Sequence, residues 1–469
     1  MVSIRTDLSA IKKKMELARD SSSSWRMLSS KERVSYIKKV RKQLVEDLDE
    51  WVGLLESSLN KTRSDALSGD LLPVLDALQF YEKRAAKILK PQKARTPFHF
   101  FGGKSKVTYE PLGVVLIFGP WNFPMQLSLI PAISALLAGN AVLIKGSEEA
   151  NPVNREIERL FKKAGLPEGV CQVVYGEKEE AREAIQLRPD KIFFTGSSAV
   201  GKKVLKQAAE QVIPCNVELS GKDPMIVLAD ANLERAARAA VWGAFMNSGQ
   251  VCVGIERVYV HENIYEAFVE KVVHFTKELT GRDVKGMSTS RGWHSVKVQL
   301  EDAIEKGASI HTGGIPDDEE KPYFPPTVLT NVTGDMAVMK EETFGPLMPI
   351  VPFQTDEEAI RMANGSPYGL NASVFSADRK RAEHVAAKLE TGNCFINDVL
   401  RNISNMHLPF GGIKESGFGR YHGAKGLYAF CNIKATMIKN GRREKELNWF
   451  PYTEQTVDGL RKFIKWKFR

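Results

Sequence analysis

The chain is poor in the features that would place it in several large classes. Its five cysteines, Cys171, Cys215, Cys252, Cys394 and Cys431, are scattered with no C-x-x-C pair. Neither a zinc site nor a disulfide framework is therefore expected, no other metal is implied, and a reducing, cytoplasmic compartment is the simpler setting. No run of about 18 apolar residues occurs, so a membrane-spanning helix is not expected. The opening stretch "MVSIRTDLSAIKKKMELARD" is charged and amphipathic and lacks the apolar core of a signal peptide. Repeats of solenoid length and long low-complexity stretches are also missing.

What is there fits an ordinary soluble protein of two or three domains: 469 residues, 43% hydrophobic and 26% charged. The net charge of +9 is partly local. "KNGRREKELNWF" and "LRKFIKWKFR" gather basic residues at the C-terminus, while the middle of the chain is mixed in sign. That pattern describes a basic tail on a neutral body, and nucleic acid is not expected as a partner.

Apolar residues recur at helical spacing from about residue 5 to 95, with the serines of "RDSSSSW" marking a break between helices. Short runs rich in Val, Ile and Phe follow, among them "GVVLIFGP", "NAVLIKGS", "KIFFTGS" and "PMIVLAD", separated by helical patterns. Such alternation predicts a parallel sheet with crossover helices. A second series begins near Leu233, so the chain reads as two α/β domains joined near residues 218 to 232.

Five stretches carry chemistry-bearing residues. In "NSGQVCVGIERVYV", Cys252 follows a tight turn, and it reads either as a nucleophile or as a small apolar residue opening a buried strand. "FFTGSSAVG" sets Gly196 and Gly201 between a strand and a helix, where backbone N–H groups favour a phosphate, although an ordinary strand-to-helix turn has the same spacing. "VLIKGSEEA" places Lys145 and Glu148 at a strand's carboxyl edge, where they either meet a ribose or are solvated charges. Glu218 in "VELSGKDP" is a candidate general base or a helix cap, and Asn122 in "GPWNFP" a candidate oxyanion donor or a turn former.

Together "GPWNFP", "VLIKGSE", "FTGSSAVG", "VELSGKDP", "NSGQVCVG", "EETFGPLMPI" and "LPFGGIKESGFGR" resemble the aldehyde dehydrogenase superfamily, in the family's order and over nearly the whole chain. The closest likeness is to the branch that handles fatty and aromatic aldehydes. The resemblance implies that Cys252 is the nucleophile, that Asn122 and the Cys252 N–H hold the oxyanion, and that Glu218 activates the water that hydrolyses a thioester to the acid. It also implies NAD(P) as cofactor. Gly196, Ser197 and Gly201 would lie by the pyrophosphate, Lys145, Ser147 and Glu148 by the adenosine ribose, and Glu342, Phe344 and Trp121 by the nicotinamide. Glu148 opposes a 2′-phosphate by charge, so NAD ranks first, with NADP left open by Lys145 and Ser147.

The implied fold is α/β: a Rossmann-type dinucleotide-binding domain (1–96 and 112–220), a catalytic domain (221–426), a β oligomerisation arm (97–111 and 427–441) and a basic tail (442–469). A homodimer is expected, with a tetramer open. Three departures from the family stand out: Gly146, Ser220 in place of a usual glycine, and a shortened stretch after "ELTGRDVKG" that reads as a trimmed surface loop. Trp121, Phe123, Met125, Met246 and Phe410 are candidate walls of an apolar aldehyde channel or core residues. Arg401 could instead greet the carboxylate of a semialdehyde. The aromatic, basic C-terminus reads as a packed helix or as a weak contact with anionic membranes. A coenzyme A-acylating enzyme and a non-catalytic descendant are the alternatives, the first opposed by Glu218.

Overall fold

Residues 5–100, 102–316, 322–446 and 449–469 are described by the computed structural model of the chain. Helices fill the first part: Leu8–Trp25, Ser30–Glu46, Leu48–Leu59 and Leu72–Ile88. The break expected at the serines is not there. Helix Leu8–Trp25 runs through them because their hydroxyls find local acceptors: Ser21 Oγ donates to Leu17 O at 2.7 Å and Ser24 Oγ to Ser21 O at 3.0 Å, while the buried Trp25 anchors the last turn. The chain turns just afterwards, and Ser29 with Glu32 forms a capping box that starts the next helix.

Six strands form the first sheet, in the order Gly417–Phe418, Cys215–Glu218, Lys191–Thr195, Val114–Gly119, Ala141–Gly146 and Cys171–Val173. All pairs are parallel except the one made by Gly417–Phe418. Strands such as Val114–Gly119 and Ala141–Gly146 are buried at every position, which explains their unbroken apolar runs. Register sets Gly119 opposite Gly146 and Thr195 opposite Glu218, so the segments that follow emerge along one carboxyl edge.

The second sheet has seven strands, in the order Ser309–Thr312, Thr327–Thr330, Leu347–Phe353, Ile255–His261, Asp223–Val227, Ser373–Phe375 and Phe395–Ile396, all parallel but the first. The fold is thus α/β, with a Rossmann-type sheet and a second α/β layer. After "ELTGRDVKG" the chain packs inward at Met287, whose side chain is buried and whose carbonyl accepts from Asn60 at 3.1 Å.

Both sheets belong to one compact unit, Met1–Leu89 with Glu110–Asn432. A second unit joins Lys90–Tyr109 to Ile433–Arg469. It contains most of a three-stranded sheet in which Lys104–Pro111 lies between Gln92–Ala94 and Cys431–Ile438. The C-terminal helix Glu454–Lys467 falls in the same unit, whereas the sequence reading set it apart as a tail. Phe101, Leu447 and Asn448, within the arm and tail boundaries drawn from sequence, lie outside the described residues.

Candidate active site

The turn before Cys252 is built on three successive left-handed residues, Asn247, Ser248 and Gly249, with φ of 51°, 57° and 73°. Glycine is required at the third because a Cβ there would collide with the Gly345 backbone. Cys252 follows, just before the strand Ile255–His261, and its thiol is partly exposed.

Two cavities meet at this thiol. One, about 360 Å³, is lined among others by Trp121, Asn122, Gly196, Ser197, Glu218, Glu342 and Phe344, together with Phe410 and Tyr421. The other, about 200 Å³, is walled by Leu72, Phe123, Trp242, Met246, Ile403 and Arg401. Cys252 and Leu127 line both. Eight of the residues singled out from the motifs are therefore brought to one cavity. Lys145, Ser147, Glu148 and Gly201 are not in its wall. Lys145 Nζ instead donates to Gly146 O at 3.0 Å and lies 3.6 Å from Glu148, while a Cβ at Gly201 would strike Leu219. Met125, expected as a channel candidate, is wholly buried in the core of helix Pro124–Ala138.

Asn122 is buried, and its side-chain amide donates to Gln250 O at 3.1 Å, which fixes it beside the cysteine turn and leaves its second N–H for another acceptor. Glu218 ends its strand in a buried position, and neither carboxyl oxygen has a well-formed hydrogen bond. Burial pushes this carboxyl well above the usual carboxylate range, and the Arg420 charge and the Gly412 N–H offset only part of that. Burial also raises the Cys252 thiol, as do the neighbouring Asp223, Glu342 and Glu218 carboxyls. The resting sulfur is therefore a thiol and needs a proton acceptor to become a nucleophile.

Glu342 is held in a dense polar network. Gly221 N donates to its Oε1 at 3.0 Å, and the Ser220 hydroxyl also bonds its carboxyl. Burial and the Glu256 charge push Glu342 up to about 7. Glu256 itself takes three donors: Lys222 Nζ at 2.7 Å, Thr343 N at 2.8 Å and Phe344 N at 3.0 Å. This clamp sets the "EETFGP" loop against the strand that leads from the cysteine, and Trp121 meets Phe344 edge-on at 5.6 Å.

Ser220 is accommodated without strain. The residue that must be glycine is Gly221, where a Cβ would collide with the Cys252 carbonyl oxygen. Ser220 Oγ instead accepts from Ser198 N at 3.3 Å, tying the start of helix Ser198–Glu210 to the Glu342 carboxyl. The motif reading passed over this link, as it did Lys222, Glu256 and the cavity residues Thr289 and Arg291. None of them carried a spacing signal.

A dinucleotide fits the larger cavity by the chemistry of its donors. Ser197 caps the helix Ser198–Glu210 at the carboxyl end of a parallel strand, which presents N–H groups to an anion. Partly exposed Glu342 offers a carboxylate for ribose hydroxyls, and Trp121 and Phe344 offer apolar faces for a ring.

Residues 4–436 match the model of the aldehyde dehydrogenase family. The chain is 43% identical to the 4,4'-diapolycopene aldehyde oxidase of Methylomonas sp over 460 residues, 97% of this chain and 86% of that one. It is 36% identical to the peroxisomal aminoaldehyde dehydrogenase 1 of Pisum sativum over 91% of this chain and 87% of the relative. The solved structure of Staphylococcus aureus AldH in its substrate-bound state superposes with a TM-score of 0.89 at 32% identity, covering 98% of this chain and 99% of that one.

Proposed function

The chain belongs to the aldehyde dehydrogenase family, an NAD(P)-dependent oxidoreductase acting on aldehydes, and from that premise we propose that it oxidises a long apolar aldehyde to the carboxylic acid at Cys252. One observation carries the reading: the thiol lines both cavities, with Asn122 and Glu218 in the wall of the larger. An aldehyde entering from the smaller cavity meets Sγ and the groups that manage its charge and its water.

In this mechanism Cys252 Sγ passes its proton to water in the cavity and bonds the carbonyl carbon. Asn122 Nδ2–H and the Cys252 N–H donate to the oxygen as it gains charge, in a site that costs them little reorganisation. Bound along the strand ends, the dinucleotide supplies the acceptor for the electron pair leaving that carbon. Glu218 then takes a proton from water, the resulting hydroxide adds to the acyl carbon, the C–S bond breaks and the acid leaves. A buried carboxyl with an elevated pKa is suited to this because, once ionised, it is a stronger base than an ordinary carboxylate.

Residues 1–96 with 112–220 serve here as the dinucleotide-binding domain and 221–426 as the catalytic domain. Gly196 and Ser197 face the pyrophosphate, with Gly201 allowing the close packing of the helix on Leu219. Glu342, Phe344 and Trp121 hold the nicotinamide end, and Lys145, Ser147 and Glu148 the adenosine end. NAD is favoured over NADP because Glu148 is an exposed carboxylate.

The apolar substrate is supported by the smaller cavity's Leu72, Phe123, Trp242 and Met246 and by the name of the 43% identical relative. Arg401 is at the cavity wall, but Asp398 pairs with it, so its charge is already matched. That weighs against a semialdehyde. A homodimer formed through the arm is part of the reading, with a tetramer open: Cys431–Ile438 is an edge strand with Ile433, Met437 and Ile438 exposed. Weak contact with anionic membranes is included too. Val457, Leu460 and Ile464 are exposed on a helix that also carries Arg461, Lys462, Lys465 and Lys467. Among the described residues no helix is long and apolar enough to cross a membrane.

The test is reduction of NAD and of NADP across a panel of short, long-chain, polyene, aromatic and carboxylate-bearing aldehydes. Highest kcat/KM for the long apolar members, lost in Cys252→Ala, is the expected result. Preference for the carboxylate-bearing member would overturn the substrate assignment. Sedimentation tests the dimer, and flotation with anionic liposomes tests the membrane contact.

A further inference from the structure

Behind the cysteine turn lies a cluster of ionisable groups that the mechanism does not use. Lys61 is 1% exposed and Asp70 is 0% exposed, and Asp65 is also buried. Isolated charges are not tolerated at such burial, so these groups must satisfy one another. Lys61 Nζ lies 3.3 Å from Asp70 Oδ2, donates to Asn247 Oδ1 at 3.2 Å and sits 3.9 Å above the Phe123 ring.

Each partner leads to a residue of the active site. Asp70 Oδ1 accepts from Met125 N and Gln126 N, both at 3.2 Å, and so caps the otherwise unpaired first turn of helix Pro124–Ala138, directly after Asn122. Asn247, held in the left-handed region at the start of the cysteine turn, uses its amide to donate to Gln250 O at 3.3 Å and to Asn122 O at 3.5 Å. The Gln250 carbonyl is also the acceptor that fixes the Asn122 amide. Two segments distant in sequence, 122–126 and 247–252, thus bond each other directly and are bridged a second time through one ammonium group.

We propose that Lys61 is a positioning residue for the reaction: bridging Asp70 and Asn247, it sets the Asn122 amide and the Cys252 turn at a fixed separation. This rests on the reading of Cys252 as nucleophile and Asn122 as oxyanion donor. Lys61 lines neither cavity, but its ammonium packs on the ring of Phe123, a wall of the smaller one, so it acts through Asn247, Asp70 and Phe123. A small displacement between nucleophile and donor costs rate steeply, whereas dinucleotide affinity depends on walls that Lys61 does not touch.

The test pairs Lys61→Met with the double variant Lys61→Met/Asp70→Asn, in which the Asp70 charge is removed together with its partner and the asparagine oxygen still caps the helix. Three quantities are read: dinucleotide binding, kcat and KM for a long-chain aldehyde, and the rate at which iodoacetamide alkylates Cys252 without cofactor. In the double variant we expect dinucleotide affinity within about threefold of wild type and kcat lowered at least about tenfold with KM little changed. Alkylation should slow or lose its wild-type pH profile. Wild-type kcat and alkylation in the double variant would overturn the proposal and leave the cluster a structural plug. Should that variant not fold, Asn247→Asp, which keeps the oxygen facing Lys61 and loses both amide donors, must show the same kcat loss, and wild-type behaviour there would equally overturn it. Absence of aldehyde-dependent turnover in the wild type would instead count against the catalytic reading itself.

Discussion

The two cavities that meet at Cys252 are made differently. The larger is lined by strand ends and by loops clamped to them: the Glu256 carboxylate alone gathers Lys222, Thr343 and Phe344, and Ser220 ties a helix start to Glu342. The smaller is walled by side chains from separate helices and turns, Leu72, Trp242, Met246 and Ile403 among them. Polar geometry is shared chemistry and must be held to fractions of an ångström. An apolar wall needs only shape, and shape can be remade by exchanging single side chains. On the function proposed above, catalysis is tied to the sheet and selectivity to the helices, and substitutions should separate the two.

The largest effect falls in the larger cavity, beside the cysteine that both cavities share. Asn122→Ala removes an oxyanion donor and should lower kcat by about 10²–10³-fold with every aldehyde, long or short; steady-state kinetics across the panel checks this. A loss confined to long aldehydes would instead make Asn122 part of the wall. Trp242→Ala should affect the smaller cavity alone, raising KM for long apolar aldehydes by roughly tenfold while dinucleotide KM stays put.

Acidification should also act on one side of the reaction. The Glu218 carboxyl is raised by burial, so as pH falls it takes up a proton before ordinary carboxylates near pH 4–5 do, and the base is lost. Single-turnover acid release should therefore decline while pH is still above that range. A flat profile down to about pH 5 would remove Glu218 as the base. The smallest effect is on the other side: Ser220→Gly gives up one hydrogen bond to Glu342 and should raise dinucleotide KM by about two- to tenfold, leaving aldehyde KM unchanged.

The same division decided what could be read from sequence. Parallel strands buried on both faces leave unbroken apolar runs, so "GVVLIFGP" and "KIFFTGS" announced the first sheet, and the residues just past such runs were candidates by position. Asn122 and Glu218 stand in motifs for that reason, whereas Cys252 and Glu342 lie on turns that lead into strands. Trp242 and Leu72 look like any apolar helix residues until the helices pack. Lys61 and Asp70 carry no local signal at all, because nothing in the sequence says that a lysine will be buried against an aspartate nine residues on. The serines at 21–24 misled in the opposite direction. Serine is a common helix breaker, yet here its hydroxyls bond backbone oxygens and the helix continues to Trp25.

The most direct measurement uses Glu218→Gln, which can form the acyl enzyme but lacks the base that clears it. Mixed with NAD and a long-chain aldehyde, quenched and digested, it should yield the Cys252 peptide carrying the aldehyde's mass less two hydrogens, and Glu218→Gln/Cys252→Ala should yield none. Dinucleotide reduction at wild-type turnover with no adduct on Cys252, or an adduct on another cysteine, would contradict the account.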